Sequence, residues 1–298
     1  MTAETFRERI GIDIGRKLPA EDAVAWAAAN GVRYFDIQCD LAPNALERFD
    51  AATCAAIREA CGEQGLHLGL HTLSAVNVAE VAPFLRDAAD QYLRAYIDLA
   101  KAMAAEWVVV HGGYHFTADY GLRKAASIDR LKRATAYAEE QGVQLLLENL
   151  NGEPARAEVH YMPDTLADTL DWFAAIPSDH LKWAFTINHA HYDAHGIAGW
   201  IDGMDMRRCE EVRVADNNGE YELHMHPGAG TVDFPDVFRR IEAAGFTGHY
   251  MCGWGALEQM LEGREILMQH AATAANLSPR IGPVRTQSFD TRLRRYSG

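Results

Sequence analysis

Short apolar runs rich in Val, Ile, Leu, Phe and Tyr recur along the chain. They cover residues 9–15 (RIGIDIG), 33–39 (RYFDIQC), 66–73 (LHLGLHTL), 106–113 (EWVVVHGG), 143–150 (VQLLLENL), 181–188 (LKWAFTIN), 210–217 (EEVRVADN) and 248–254 (GHYMCGW). Each reads as a buried strand, and the stretches between them read as helices. The clearest helix spans 84–104, where Phe84, Ala88, Tyr92, Ala95, Leu99 and Met103 recur at steps of three and four, as one helical face requires. In VDFPDVFRRIEAAGF, Asp233 is placed to cap a helix whose first turn holds Pro235. Gly31 and Gly142 stand between a helix and the next strand, where the C-terminal cap calls for positive φ. Eight strands alternating with helices over about 270 residues predict one α/β domain, a (β/α)8 barrel. An open doubly wound sheet is the alternative, but no GxGxxG turn supports a nucleotide cofactor on it.

The polar positions sharpen this picture. His71 and Asn77, His111, Glu148 with Asn149 and Asn151, Asn188 with His191, and Asp216 with Asn217 all fall where a strand gives out. Barrel enzymes assemble their sites on that C-terminal rim. A carboxylate buried beside imidazoles has no packing role that would offset its desolvation. The stretch FTINHAH raises a question of its own, because a neutral amide at Asn188 is a poorer ligand for a dication than a carboxylate.

Composition narrows the classes of function. The 298 residues carry a net charge of −14, which disfavours nucleic acid as a partner. No apolar run approaches the roughly 20 residues of a membrane span. The N-terminal MTAETFRERI has no hydrophobic signal core. Five scattered cysteines without a CxxC pair read as reduced thiols of a cytoplasmic protein. The domain is expected over 1–277. The Arg-rich tail 278–298 is expected to lie outside it, as a contact element of a homo-oligomer.

Several of these motifs together resemble the xylose-isomerase-like TIM barrels, the superfamily of sugar isomerases and epimerases and of metal-dependent apurinic endonucleases. LHTLSAVNVA is similar to its third-strand motif, VVVHGG to the fourth, LLLENLNG to the fifth, INHAH to Asp-x-x-His, and VRVADNNGEYELHMHPGAGTVDF to His-x-x-Asp-Asn followed by Gly-x-Gly-x-(Ile/Val)-Asp-Phe. The resemblance implies a shared metal ligand and proton-transfer base at Glu148. It also exposes departures. The family's other isomerase ligands fall on Asn188, on Arg213 and at or beside Gly253, so that metal seat is expected to be lost and a fixed cation to stand in it. The endonuclease-type sets remain: His71, His111 and Glu148 as one, and His191, Glu222 and His224 as another, each suited to a divalent Zn or Mn ion.

The resulting expectation is an isomerase, epimerase or lyase that takes a proton next to a carbonyl of a small hydroxylated or carboxylated substrate. Glu148 is the expected base, His111 or His191 its partner, and Arg213 the holder of an anionic oxygen. Asn188, His71, Asn149, Trp183 and Trp254, with Tyr114, are the expected substrate contacts. A metal-dependent hydrolase of small phosphate esters and a non-catalytic sugar-binding protein are the alternatives.

Overall fold

The computed structural model describes residues 3–276; the expected tail, 278–298, lies outside them. Ten strands run in the order β1 (Ile10–Gly15), β2 (Tyr34–Ile37), β3 (His67–His71), β4 (Trp107–Val110), β5 (Tyr114–Phe116), β6 (Gln144–Glu148), β7 (Val159–Tyr161), β8 (Leu181–Thr186), β9 (Cys209–Val214) and β10 (His249–Cys252). Eight of them close a parallel barrel in the order β1-β10-β9-β8-β6-β4-β3-β2. This is the predicted (β/α)8 TIM barrel, and closure excludes the open sheet. The two strands beyond the predicted eight, β5 and β7, pair antiparallel outside the barrel. The helices are α1 (Ala3–Glu8), α2 (Ala20–Ala29), α3 (Ala51–Gln64), α4 (Pro83–Met103), α5 (Tyr120–Gln141), α6 (Leu166–Ala175), α7 (Ile187–His191), α8 (Gly196–Gly203), α9 (Phe234–Ala243) and α10 (Leu257–Asn276). Among the described residues none is long and apolar enough to cross a membrane. All five cysteines are buried free thiols.

The predicted helix signals hold at α9, where the Asp233 side chain accepts from the Asp236 amide. They hold also at Gly142 (φ 72°) and Gly31 (φ 60°). The predicted face of α4 holds only in its C-terminal half, at Leu99 and Met103. Its buried stripe is Ala89, Leu93, Tyr96, Ile97, Leu99, Ala100 and Met103, while Phe84 is 92% exposed. Four-residue steps advance more than one 3.6-residue turn, so the row 84, 88, 92 winds off the packing face.

Strand FTIN was expected to stay extended to Asn188. Instead β8 stops at Thr186 and the chain turns into α7 at Ile187. That change decides which side chains reach the barrel interior.

Strand register places alternate residues inside. Asp13 pairs with Asp36, Asp36 with Gly69, Val109 with Leu146, Glu148 with Ala184, Thr186 with Arg213, and Arg213 with Met251. The interior is divided. Trp107, Val109, Leu146, Ala184 and Met251 form an apolar cluster separate from the main core. Asp13, Asp36, Glu211, Arg213 and His249 form an ionic one, described below. Gly69 makes the apolar half possible, because a Cβ there would stand 2.1 Å from Cε2 of Trp107. The indole fills the space that β3 leaves empty.

Gly69→Ala is therefore expected to lower stability in urea denaturation by at least about 1–3 kcal/mol, the usual cost of overpacking. An unchanged midpoint would mean that the Trp107 ring has room to retreat.

Candidate active site

β3, β4 and β6 are neighbours in the barrel, so their last residues converge. His71 ends β3, His111 follows β4, and Glu148 ends β6. His111 Nε2 lies 3.0 Å from Glu148 Oε2 and 3.3 Å from His71 Nε2. His71 Nε2 is 3.5 Å from the same carboxylate oxygen. All three residues are buried. The Thr72 hydroxyl donates to the Val109 carbonyl at 3.0 Å and lies 3.2 Å from His111 Nδ1, which orients the ring with Nε2 toward the carboxylate. Burial, the largest influence on it, pulls the His111 pKa down and keeps it neutral. Burial alone would raise the Glu148 pKa, but His111 and His71 outweigh it and hold the carboxyl well below its ordinary range. Two imidazole nitrogens and one carboxylate oxygen thus face one another within 3.5 Å. That donor set fits a divalent cation.

The second oxygen, Glu148 Oε1, accepts from the Thr186 hydroxyl at 2.5 Å. Because β8 ends there, the residue that faces Glu148 is Thr186 and not Asn188. Asn188 donates from Nδ2 to the Leu223 carbonyl at 3.2 Å, and its buried Oδ1 has no partner. The Asp-x-x-His correspondence therefore falls two residues earlier than the sequence suggested, on Thr186 and His189.

This shift also corrects the second ligand set. His191 leaves the site, with Nε2 2.9 Å from Thr231 Oγ1. His189 takes its place. Its Nδ1 donates to the Asn149 carbonyl at 2.8 Å, which turns Nε2 toward Glu222 Oε1 at 3.3 Å. His224 donates from Nδ1 to the Gly253 carbonyl at 2.7 Å and sets Nε2 2.6 Å from the same Glu222 oxygen. His189, Glu222 and His224 form a second, more open group able to hold a cation on the rim. Despite its burial, Glu222 is held down to about 2 by the two histidines.

Arg213 points into the barrel, as the sequence suggested, but it is fully engaged there. Nη1 donates to Asp36 Oδ2 and Glu211 Oε1, both at 2.7 Å, and Nη2 donates to Asp13 Oδ2 at 2.6 Å. His249 joins the far end, 2.9 Å from Glu211. Burial opposes the Arg213 charge, but Asp36, Glu211 and Asp13 outweigh it and make the guanidinium a permanent cation. Burial, then the Asp13 charge, pushes Asp36 up to about 8, so it carries a proton at neutral pH. Gly253 borders this network: a Cβ there would lie 3.8 Å from Asp13 Oδ2 and 3.9 Å from Arg213 Nη2. The expected role of Arg213 as a free anion holder is corrected, since its described bonds all end on protein carboxylates. Asp216 is occupied elsewhere, accepting from the amides of Gly228, Gly230 and Val232.

Four expected substrate contacts are engaged within the protein. Trp183 lies behind the barrel wall, its ring 4.4 Å from Phe185, and donates to Asn149 Oδ1 at 3.1 Å. Asn149 also accepts from the Thr186 amide and donates to the Thr186 carbonyl, which ties β6 to β8. Trp254 is buried against His226 and leaves no room for a side chain at Gly263. Tyr114 is held by backbone hydrogen bonds to Asn77. Conversely, Asp13 and Asp36 were not singled out in the sequence. Their signal is a charged residue at an inward position of an otherwise apolar strand, in GIDIG and YFDIQ.

The family model described as xylose isomerase-like TIM barrel matches residues 24–270. A curated relative, an uncharacterized protein from Methanocaldococcus jannaschii (MJ1311), is 25% identical over 202 residues, 66% of this chain and 67% of its own. Among solved structures, a D-tagatose 3-epimerase-like protein superposes with a TM-score of 0.79 at 20% identity, covering 90% of this chain and 98% of the other. The apo 3-keto-D-glucoside 4-epimerase YcjR from E. coli superposes with a TM-score of 0.69 at 17% identity, over 89% and 99%. The chain belongs to the xylose isomerase-like TIM barrel family.

Arg213→Met removes the one cation that the buried Asp36 and Glu211 share with the partly exposed Asp13. Breaking a buried pair in this way typically costs about 3–5 kcal/mol, so the variant is expected to unfold at much lower urea, or to fail to fold. Wild-type stability would show that the carboxyls hold their positions without the guanidinium.

Proposed function

We propose that this chain is an epimerase or isomerase of a small, uncharged keto sugar, with Glu148 as the base that takes the proton next to the carbonyl. One observation carries the reading: Glu148 is buried on the barrel rim with Oε2 3.0 Å from His111 Nε2 and 3.5 Å from His71 Nε2. A carboxylate there can take a proton from a carbon that a cation on the imidazoles would acidify. The solved neighbours of the same fold are named for epimerising keto sugars, which supports the reaction class by analogy of fold.

His71, His111 and Glu148 are the residues that would hold a divalent Zn or Mn ion, and His189, Glu222 and His224 would form a second, more exposed site. Such an ion polarises a carbonyl oxygen and stabilises the negative charge that develops there. The protein's own groups do the rest. Thr72 and Val109 keep His111 turned toward Glu148, and the Thr186 hydroxyl fixes the carboxylate plane.

The Arg213 cation is spent on protein carboxyls and offers no counter-ion to a substrate carboxylate, which supports a hydroxylated substrate. A sugar-binding protein without activity has no use for a buried ionised carboxylate.

The wild-type protein, incubated with ketopentoses and ketohexoses and one divalent metal, is expected to form a new epimer or an aldose detectable by chromatography. Glu148→Gln keeps the shape and is expected to lower turnover by at least about 10²-fold, the scale of a lost acid–base group. Near-normal turnover in that variant would remove Glu148 from the chemistry. No conversion of any ketose by the wild-type protein would refute the substrate class.

A further inference from the structure

Three of the four imidazoles able to ligate an ion on the rim have their second ring nitrogen engaged. His111 Nδ1 lies 3.2 Å from the Thr72 hydroxyl, His189 Nδ1 2.8 Å from the Asn149 carbonyl and His224 Nδ1 2.7 Å from the Gly253 carbonyl. His71 is the exception. Its Nε2 faces Glu148 and His111, while its Nδ1 is buried and has no hydrogen-bond partner among the described residues. The group in front of that nitrogen is the Asp36 carboxyl, with Oδ2 at 3.7 Å. We infer that Asp36 is a positioning residue of the ion seat, accepting a hydrogen bond from His71 Nδ1 when Nε2 ligates a divalent cation. This rests on the reading of His71, His111 and Glu148 as that seat.

The chemistry of imidazole supplies the first argument. A neutral ring has one N–H and one lone pair. A ring that gives the Nε2 lone pair to a cation carries its proton on Nδ1. A buried N–H with nothing to donate to is costly, and ligand histidines meet that need with a carboxylate, a carbonyl or water. At 3.7 Å the Asp36 oxygen is roughly 1 Å short of hydrogen-bond distance, so a small turn of either side chain closes the contact.

Register supplies the second. Asp36 on β2 pairs with Gly69 on β3, two residues before His71. Residues two apart on a strand share a face, so Asp36 and His71 are diagonal neighbours on the inward side of adjacent strands. Gly69 puts no side chain between them.

The third argument is the state of Asp36 itself. Arg213 Nη1 donates to Oδ2 at 2.7 Å, which anchors the carboxyl, while Oδ1 is buried without a partner. A carboxyl keeps accepting capacity in either protonation state. An unpaired ring nitrogen and an unpaired carboxyl oxygen thus belong to neighbouring side chains, and one contact relieves both. Through Asp36, the guanidinium that stands at the family's metal position orients a ligand of the seat that remains.

The test is the Zn2+ affinity of the full chain, measured by competition with a chromophoric chelator. Asp36→Asn keeps the shape. With its amide oxygen on Arg213, it turns an NH2 toward His71 Nδ1, donor against donor, and the affinity is expected to fall about 10–100-fold. Glu211→Gln disturbs the same arginine from the side away from His71 and is expected to bind Zn2+ within a few-fold of wild type. Wild-type affinity in Asp36→Asn overturns the inference. An equal loss in Glu211→Gln also overturns it, because Asp36 would then act only as a partner of Arg213. Crystals of the wild-type protein with and without Zn2+ decide the matter if Asp36→Asn does not fold. The loaded protein is expected to hold an Asp36 oxygen within about 3.2 Å of His71 Nδ1. A separation that stays at 3.7 Å, or a water between the two groups, overturns the inference. His111→Ala separates this claim from the seat it rests on. Zn2+ lost in that variant but bound at full strength by Asp36→Asn leaves the seat standing and removes Asp36 from it. A wild-type protein that binds no Zn2+ removes both.

Discussion

One guanidinium inside the barrel orders the rest of the structure. Arg213 joins Asp13 on β1, Asp36 on β2 and its own strand neighbour Glu211 on β9. Burying these groups separately would be prohibitive, and together they are tolerable because each charge has a partner at hydrogen-bond distance. The arrangement sets the charge on both ends of the barrel. At the mouth it keeps Asp13 ionised, and deeper down Glu211 binds His249. It also places Asp36, protonated at neutral pH, 3.7 Å from His71 Nδ1. The apolar half of the interior, built on Trp107 across Gly69, confines the ionic half to one side.

The same guanidinium explains the shape of the candidate site. A fixed cation stands where the family resemblance expects a metal ligand, and the neighbouring positions have changed in step. Thr186 offers a hydroxyl to Glu148 instead of a second carboxylate, and Gly253 offers no side chain at all. A further carboxylate at Thr186 would face Glu148 without a cation to separate them. What remains able to hold a divalent ion is His71 and His111, on the far side of Glu148, where Thr72 orients one imidazole.

Much of this was legible in the sequence. The eight barrel strands could be found because each is a short run buried on both faces, and Glu148, His71 and His111 stood out as polar residues ending such runs. The errors share one cause, the assumption that a regular element continues. Extending β8 through FTINHAH keeps Asn188 inward and His191 in register, but the helix beginning at Ile187 turns the chain and puts His189 at the site. Extending the four-residue step along α4 put Phe84 in the core, whereas it is exposed. Arg213 was read correctly as inward, yet its partners Asp13 and Asp36 lie 200 and 177 residues away along the chain. Only strand order brings them together. Trp183 and Asn149 show the opposite limit, since a residue next to a site in sequence can face away from it.

The central claim is that the divalent-ion seat lies among His71, His111 and Glu148 while Arg213 holds the family's usual position as a fixed cation. Crystals grown with Mn2+ and measured for anomalous scattering test it most directly. The account predicts a peak bonded to His71 Nε2, His111 Nε2 and a Glu148 oxygen, with the Arg213 guanidinium still between Asp13, Asp36 and Glu211. A peak in the space between Arg213, Thr186 and Gly253 with Arg213 displaced, or no Mn2+ near Glu148 at millimolar concentration, would contradict it.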